Sequence, residues 1–216
     1  GDSYRVHYEL YDTNQQKQLL NQTYTASLEQ LRDVAHSIAD QIFLQLTGVR
    51  GVFSTKILYV VHNRKDAYPY QLQYADADGA RAQTVLRSKQ PIMSPAWSPD
   101  GKQIAYVSFE NGGLPAIYIH TLATGQRRVV SNFSGINGAP AFSPDGTKLA
   151  MTLSKDGNAE VYVLDLRSGT LTRETDSFSI DTEPCWMPDG QSLLFTSDRS
   201  GGPQIYKLGL RDRSVS

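Results

Sequence analysis

Apolar and polar positions alternate in short runs over most of the chain, and the runs come in sets. Ile104-Ala105-Tyr106-Val107, Leu149-Ala150-Met151-Thr152 and Leu193-Leu194-Phe195-Thr196 each read as a buried strand. A second strand follows in every set, at Ala116-Ile117-Tyr118-Ile119, Glu160-Val161-Tyr162-Val163 and Gln204-Ile205-Tyr206-Lys207, with a tyrosine at the same place. Ahead of each set stands a small-residue run closed by a ring: Pro95-Ala96-Trp97, Pro140-Ala141-Phe142 and Pro184-Cys185-Trp186. The two are joined by Ser98-Pro99-Asp100-Gly101, Ser143-Pro144-Asp145-Gly146 and Met187-Pro188-Asp189-Gly190. Proline presets φ in such a turn, aspartate bonds the backbone ahead of it, and glycine accepts the positive φ that starts the return strand. The turn aspartates 100, 145 and 189 are spaced by 45 and 44 residues, the period of one four-stranded propeller blade per repeat. Thr124-Gly125 and Ser168-Gly169 lead into a fourth strand, Arg128-Val129-Val130 or Thr170-Leu171-Thr172.

The first fifty residues follow another pattern. Tyr4, Val6, Tyr8 and Leu10 alternate with polar neighbours as one half-buried strand, and a second is expected near residues 19–25. Ser27 and Gln30 form a capping-box signature, apolar residues then recur at helical spacing from Leu28 to Leu46, and Gly48 stands just past the end. A hairpin and one helix of about fifty residues seldom make a self-sufficient core. Residues 1–52 are therefore expected to be the C-terminal part of a small α/β domain, and residues 53–216 an incomplete propeller. From Lys56 a degenerate repeat gives three strands with no turn-bearing strand in front. The fold class predicted is mainly β: about four blades preceded by part of an α/β domain.

Composition narrows the function. The 216 residues are 39% apolar, and 21 basic side chains against 22 acidic ones leave a net charge of −1, which is no footprint for nucleic acid or for direct membrane insertion. The single cysteine, Cys185, reads as a small filler on an inner strand. The four histidines lie on unrelated elements, no nucleophile elbow or phosphate-binding glycine loop occurs, and no zinc spacing is present. Asp76-Ala77-Asp78-Gly79 lacks the distal glutamate of a calcium loop and reads as a hairpin turn. Asp181 and Glu183 read as loop carboxylates, solvated or available to a partner. No enzyme, cofactor or metal is expected.

Function is then expected on the loops that enter the innermost strands, because a rigid scaffold exposes binding chemistry on its loops. Three are visible: Gln90 to Pro95, Gly135 to Pro140 and Ile180 to Pro184. Each mixes apolar surface with one or two polar groups, as a protein interface does.

The runs Met93 to Gly101, Asn137 to Ala150 and Thr182-Glu183-Pro184, together with Leu46-Thr47-Gly48 followed by Gly51-Val52-Phe53, resemble the TolB family, periplasmic propellers of the Tol-Pal system. The resemblance covers nearly the whole chain. It implies a six-bladed propeller in the intact protein, whose axial face binds the peptidoglycan-associated lipoprotein Pal in the periplasm of a Gram-negative bacterium. It also implies a role in outer-membrane integrity and in drawing the envelope together at division, a face open to colicin-type peptides, and a TolA contact made by an amino terminus outside this chain. By matching motif the protein-binding positions are Ile136, Asn137, Ala139, Thr182 and Glu183, with Met93 and Ser94 added by repeat equivalence. Isoleucine at 136 stands where the family pattern implies a polar or imidazole side chain. The alternative is the substrate-gating propeller of a prolyl-oligopeptidase-type serine peptidase.

Overall fold

The computed structural model describes residues 2–216. Strands β1 (Ser3–Asp12) and β2 (Lys17–Ser27) pair antiparallel as a two-stranded sheet. At the end of β2 the Ser27 N–H donates to Gln30 Oε1 at 3.1 Å, the backbone half of the expected capping box, and one 3-10 turn at Leu28–Gln30 leads into helix α1 (Leu31–Thr47). Gly48 stops the helix. It takes φ 72° and returns its N–H to the Leu44 carbonyl at 2.9 Å, a left-handed cap that a side chain would strain.

The chain separates into two compact units. One holds the chain up to Ile57 together with Tyr74–Gln83, and the other holds Leu58–Gln73 and Thr84–Ser216. In the first unit a single carboxylate gathers three cations. Asp76, 2% exposed, accepts from Arg81 Nε at 2.7 Å, Lys56 Nζ at 2.7 Å and Arg32 Nε at 3.1 Å. Arg81 also pairs with Asp33, and Arg32 with Asp78, whose carboxylate lies 3.4 Å from His36 Nε2. The turn expected at Asp76-Ala77-Asp78-Gly79 is present, closed by the Gly79 N–H on the Asp76 carbonyl at 2.8 Å. Its first carboxylate is an ion-pair hub.

Eleven of the remaining strands form the repeats announced by the period, and three precede them. Strands β3 (Lys56–His62), β4 (Tyr70–Asp76) and β5 (Gln83–Ser88) make a three-stranded sheet in that order. The second blade is β6 (Ile92–Trp97), β7 (Gln103–Asn111), β8 (Leu114–Thr121) and β9 (Arg127–Ser131). The third is β10 (Asn137–Phe142), β11 (Lys148–Leu153), β12 (Glu160–Asp165) and β13 (Leu171–Arg173). The fourth is β14 (Asp181–Trp186), β15 (Ser192–Ser197) and β16 (Gln204–Gly209), with an isolated bridge from Leu208 to Val215. All pairings within the second, third and fourth blades are antiparallel.

Each turn between the first two strands of a blade is a small hydrogen-bonded clasp. Ser143 Oγ donates to Asp145 Oδ1 at 2.6 Å and accepts the Lys148 N–H at 2.9 Å, while Asp145 Oδ1 accepts the Thr147 N–H at 3.0 Å. Ser98 and Asp100 repeat the set. In the third copy Met187 has no hydroxyl, and only the aspartate bond to the Gln191 N–H survives.

The core lies between successive sheets. Leu72, Ile104, Tyr106 and Tyr118 fill the first seam, Ile117, Ile119, Leu149 and Met151 the second, and Val161, Trp186, Leu193 and Phe195 the third. Each such side chain contributes roughly 1.5–3 kcal/mol when fully buried. The three repeat tyrosines share one device: Tyr118, Tyr162 and Tyr206 each carry a cation over the ring, Arg127 at 5.3 Å, Lys155 at 5.1 Å and Arg199 at 4.9 Å. Trp97 and Trp186 are seam residues, and Trp186 donates Nε1–H to the Ala141 carbonyl at 3.0 Å.

Cys185 departs from its expectation: it is exposed, not a buried filler. Its repeat equivalent Ala141 is packed against the fourth blade, whereas the corresponding face of β14 to β16 carries Cys185 and Ile205 in the open.

Hydrogen bonds from Arg81, then Lys56 and Arg32, hold the Asp76 carboxyl far below the usual carboxylate range, and the Ser143 hydroxyl, aided by Thr147, pulls Asp145 down to about 2. A folded-state pKa below the unfolded value of about 3.9 contributes stability that is present above that value and lost as pH falls through the folded one. Unfolding monitored in denaturant is therefore expected to show stability falling from about pH 4 downward, and Asp76→Ala is expected to cost about 1–2 kcal/mol at neutral pH, because the three cations lose their shared partner but are each more than a third exposed and Arg81 and Arg32 keep Asp33 and Asp78. An unchanged midpoint in Asp76→Ala would contradict the hub.

Candidate functional site: the bulged ends of the inner strands

Strands β6, β10 and β14 have a proline at the fourth position, Pro95, Pro140 and Pro184. Proline has no N–H to offer the ladder, and the ladder breaks there in every copy, with register shifts between Met93 and Ala96, Gly138 and Ala141, and Thr182 and Cys185. The residue before each proline is left-handed: Ser94 at φ 48°, Ala139 at 46° and Glu183 at 55°. None is glycine. The proline ring already disfavours the right-handed helical region for its predecessor, and each non-glycine residue held at positive φ costs about 1–3 kcal/mol. Three equivalent copies of one strained conformation, each keeping a side chain that glycine would have dispensed with, mark this ring of positions as the candidate site.

The bulge also decides which side chains face outward. One extra residue shifts the two-residue alternation of a strand by one. Counting back from Trp186, Pro184 is buried, Glu183 exposed and Asp181 buried again. Ile92, Asn137 and Asp181 occupy the same inward position, although plain alternation would turn them outward. Two expectations are corrected by this shift. Asn137 is 1% exposed and does not present its side chain to a partner. Its Oδ1 accepts from Ser131 Oγ at 2.6 Å and the Phe133 N–H at 3.0 Å, and its Nδ2 donates to the Phe133 carbonyl at 2.7 Å and the Gly135 carbonyl at 3.3 Å. It clamps the loop that delivers Ile136. Asp181 is not a solvated loop carboxylate but fully buried, with Arg199 Nη2 at 2.8 Å. That guanidinium lies over the rings of Phe195 and Tyr206.

The other candidates stand at the surface. Met93, Ser94 and Glu183 are exposed, Ile136 is 48% exposed, and Ala139 and Thr182 are half-buried. Every entry to an inner strand is tied to the end of its blade's second strand: the Phe109 N–H donates to the Pro91 carbonyl at 3.2 Å, Ile136 N–H to Ser154 Oγ at 2.8 Å, and Ile180 N–H to Asp198 Oδ1 at 2.8 Å. Gly135 is required by the second of these ties, since it takes φ 86° and a Cβ there would meet Ser154 Oγ. Glu183 adds a bond across a seam, its N–H to Thr152 Oγ1 of β11 at 3.1 Å. The result is a fixed rim that mixes apolar side chains, Met93, Ile136 and Ala139, with polar ones, Ser94, Thr182 and Glu183. Among the described residues no cluster of three His, Cys, Asp or Glu side chains is arranged to hold a metal ion, and no helix is long and apolar enough to cross a membrane.

Comparison with known proteins agrees with the repeat architecture. The family profile described as the TolB beta propeller domain matches residues 43–216. The chain is 66% identical over 154 residues to the Tol-Pal system protein TolB of Alcanivorax borkumensis, a match covering 71% of this chain and 36% of that relative. With the Tol-Pal system protein TolB of Bordetella pertussis it shares 53% identity over 170 residues, 79% of this chain and 38% of that one. The crystal structure of TolB from Acinetobacter baumannii superposes with a TM-score of 0.93 at 47% identity, over 100% of this chain and 54% of that one. The matched segments span little more than a third of the length of these curated relatives, and the whole chain covers about half of the Acinetobacter baumannii protein.

Asn137→Ala removes a clamp with four hydrogen bonds and leaves the buried Ser131 hydroxyl without its acceptor and the partly buried loop backbone at Phe133 and Gly135 without its clamp, so it is expected to cost about 2 kcal/mol of stability. Differential scanning calorimetry checks this, and a melting temperature equal to that of the unsubstituted protein would place the clamp's bonds elsewhere.

Proposed function

The chain belongs to the TolB family of β-propeller proteins of the Tol-Pal system, and from that premise we propose that it serves as a non-enzymatic periplasmic scaffold that binds Pal through the bulged ends of its inner strands. Met93, Ser94, Ile136, Ala139, Thr182 and Glu183 form the contact surface, and Asn137 supports it from beneath. The observation that carries this reading is the left-handed pre-proline residue repeated at Ser94, Ala139 and Glu183. Strain of this kind persists where surrounding structure over-determines it, and it clusters at binding sites.

The physical logic is preorganisation. A partner that docks on a loop must order it first, at about 0.5–1.5 kcal/mol for each immobilised side chain. Here the strand ladder, the entry ties and the Asn137 clamp have fixed the backbone beforehand. Pal held by such a rim would join the outer membrane to the periplasmic assembly, which fits roles in envelope integrity and in constriction at division. TolA contact belongs in this reading to a segment preceding the chain, and colicin-type peptides to competitors for the same rim.

Isothermal titration of the intact protein with the soluble domain of Pal from the same organism tests the reading. Ala139→Arg, which puts a long side chain where a methyl stands, and Thr182→Ile are each expected to weaken binding at least 10-fold with little change in unfolding, as for central interface residues worth about 2 kcal/mol. Absence of binding by the unsubstituted protein across salt concentrations, or undiminished affinity in both variants, would reject the rim.

A further inference from the structure

The connection from β13 to β14 carries a feature that the contact surface just described does not use. Phe178 is 108% exposed, its ring projecting wholly into solvent. A single exposed apolar residue is ordinary on a protein surface, and a mobile loop would account for it. This loop is instead pinned on both sides of the ring. Ser177 N–H donates to Glu160 Oε1 at 2.9 Å, and Asn158 Nδ2 holds the carbonyls of Ser177 at 2.9 Å and Ser179 at 2.5 Å. Ser179 N–H returns to Ser177 Oγ at 3.1 Å, and Ile180 N–H is the one bonded to Asp198. Glu160 is itself fully buried and bonded to Arg173 and Thr175. A buried carboxylate and a side-chain amide are thus spent on presenting an aromatic ring to water.

The preceding connection repeats the arrangement with other residues. Phe133 is exposed and held at both its N–H and its carbonyl by the buried Asn137, and Lys155 lies 5.6 Å from its ring centre. Ile136 and Ile180, equivalent by the 44-residue repeat, are 48% and 53% exposed. Two neighbouring blades therefore each raise a ring and an isoleucine at the entry to the inner strand. Around the fourth-blade pair the charge is negative: Glu183 and Asp198 are exposed and have no ion-pair partner among the described residues, while Arg173 and Arg199 are engaged with Glu160, Asp176 and Asp181.

We propose that Phe178, flanked by Ile180, is an affinity-determining anchor of the protein interface, inserting into an apolar pocket edged by basic side chains on a folded protein partner. The inference rests on the rim reading above and deepens it, since it moves the energetic centre from the bulge residues to the loop in front of the fourth blade. Rigid aromatic side chains are the usual hot spots because they bring large apolar area at low ordering cost.

The intact protein titrated with the soluble domain of Pal tests this, using Phe178→Ala, Phe178→Trp and the rim variants side by side. Phe178→Ala is expected to weaken binding 10- to 100-fold with an unchanged unfolding midpoint. The indole of Phe178→Trp is expected to emit as a water-exposed group in the free protein and to shift to the blue on saturation. Binding that is weakened by Ala139→Arg and Thr182→Ile but unaltered by Phe178→Ala overturns the anchor and leaves the rim standing. An indole already shielded in the free intact protein overturns it as well, by showing that the protein's own chain covers the ring. No binding by the unsubstituted protein removes both proposals together.

Discussion

A missing hydrogen-bond donor governs this structure. Proline at positions 95, 140 and 184 cannot donate to its neighbour strand, so each innermost strand bulges two residues ahead of its repeated ring position, and everything nearer the strand entry is turned over. The turnover buries Ile92, Asn137 and Asp181 and lifts Met93, Ser94 and Glu183 to the surface. Had the strands stayed regular, the same sequence would have exposed an asparagine and an aspartate on the rim. Because the break falls at one place in each repeat, the surface it creates is repeated too, and neighbouring blades offer it side by side.

What makes so strained a detail tolerable is the packing below it. The seams between sheets are filled by Leu, Ile, Met and aromatic side chains, with a cation stacked on the repeat tyrosine of the second, third and fourth blades. Three pre-proline residues at about 1–3 kcal/mol apiece are small beside those seams. The polar groups near the rim are used in the same sense. Asn137, Glu160 and Asp198 place their hydrogen bonds on loop backbone, so the chain is ordered before any partner arrives. In the other unit, Asp76 serves a purely structural end by gathering Arg32, Lys56 and Arg81.

Most of the fold was legible because its signals are local and periodic. The Ser-Pro-Asp-Gly turns, the alternating strands and the tyrosine at every third strand lie within one repeat, and three copies reinforce one another. The Ser27 and Gln30 cap and the Gly48 stop are equally local. The site was legible in outline, since the entry loops were found by position in the repeat, but its inner and outer faces were not. The prolines that close the entry loops in the sequence pattern lie inside strands, and a one-residue bulge reverses side-chain direction without altering composition or period. Plain alternation therefore puts Asn137 outside and Asp181 in solvent, and the bulge buries both. Cys185 differs for another reason: no described strand packs on its face of β14, which no local pattern reports. The Asp76 hub escaped because its cations are separated from it in sequence, at 32 and 56, and the nearer Arg81 is one basic residue among many.

In the proposed reading, the bulged inner-strand entries and the loops in front of them form one preorganised protein-binding rim. Hydrogen–deuterium exchange on the intact protein, with and without the soluble domain of Pal, measures this most directly. Residues 91–94, 133–139 and 176–183 are expected to exchange slowly for loop segments in the free protein and to be protected further in the complex, while the Ser-Pro-Asp-Gly turns are unaffected. Fast exchange at the entries in the free protein, or protection confined to the turns, would contradict it.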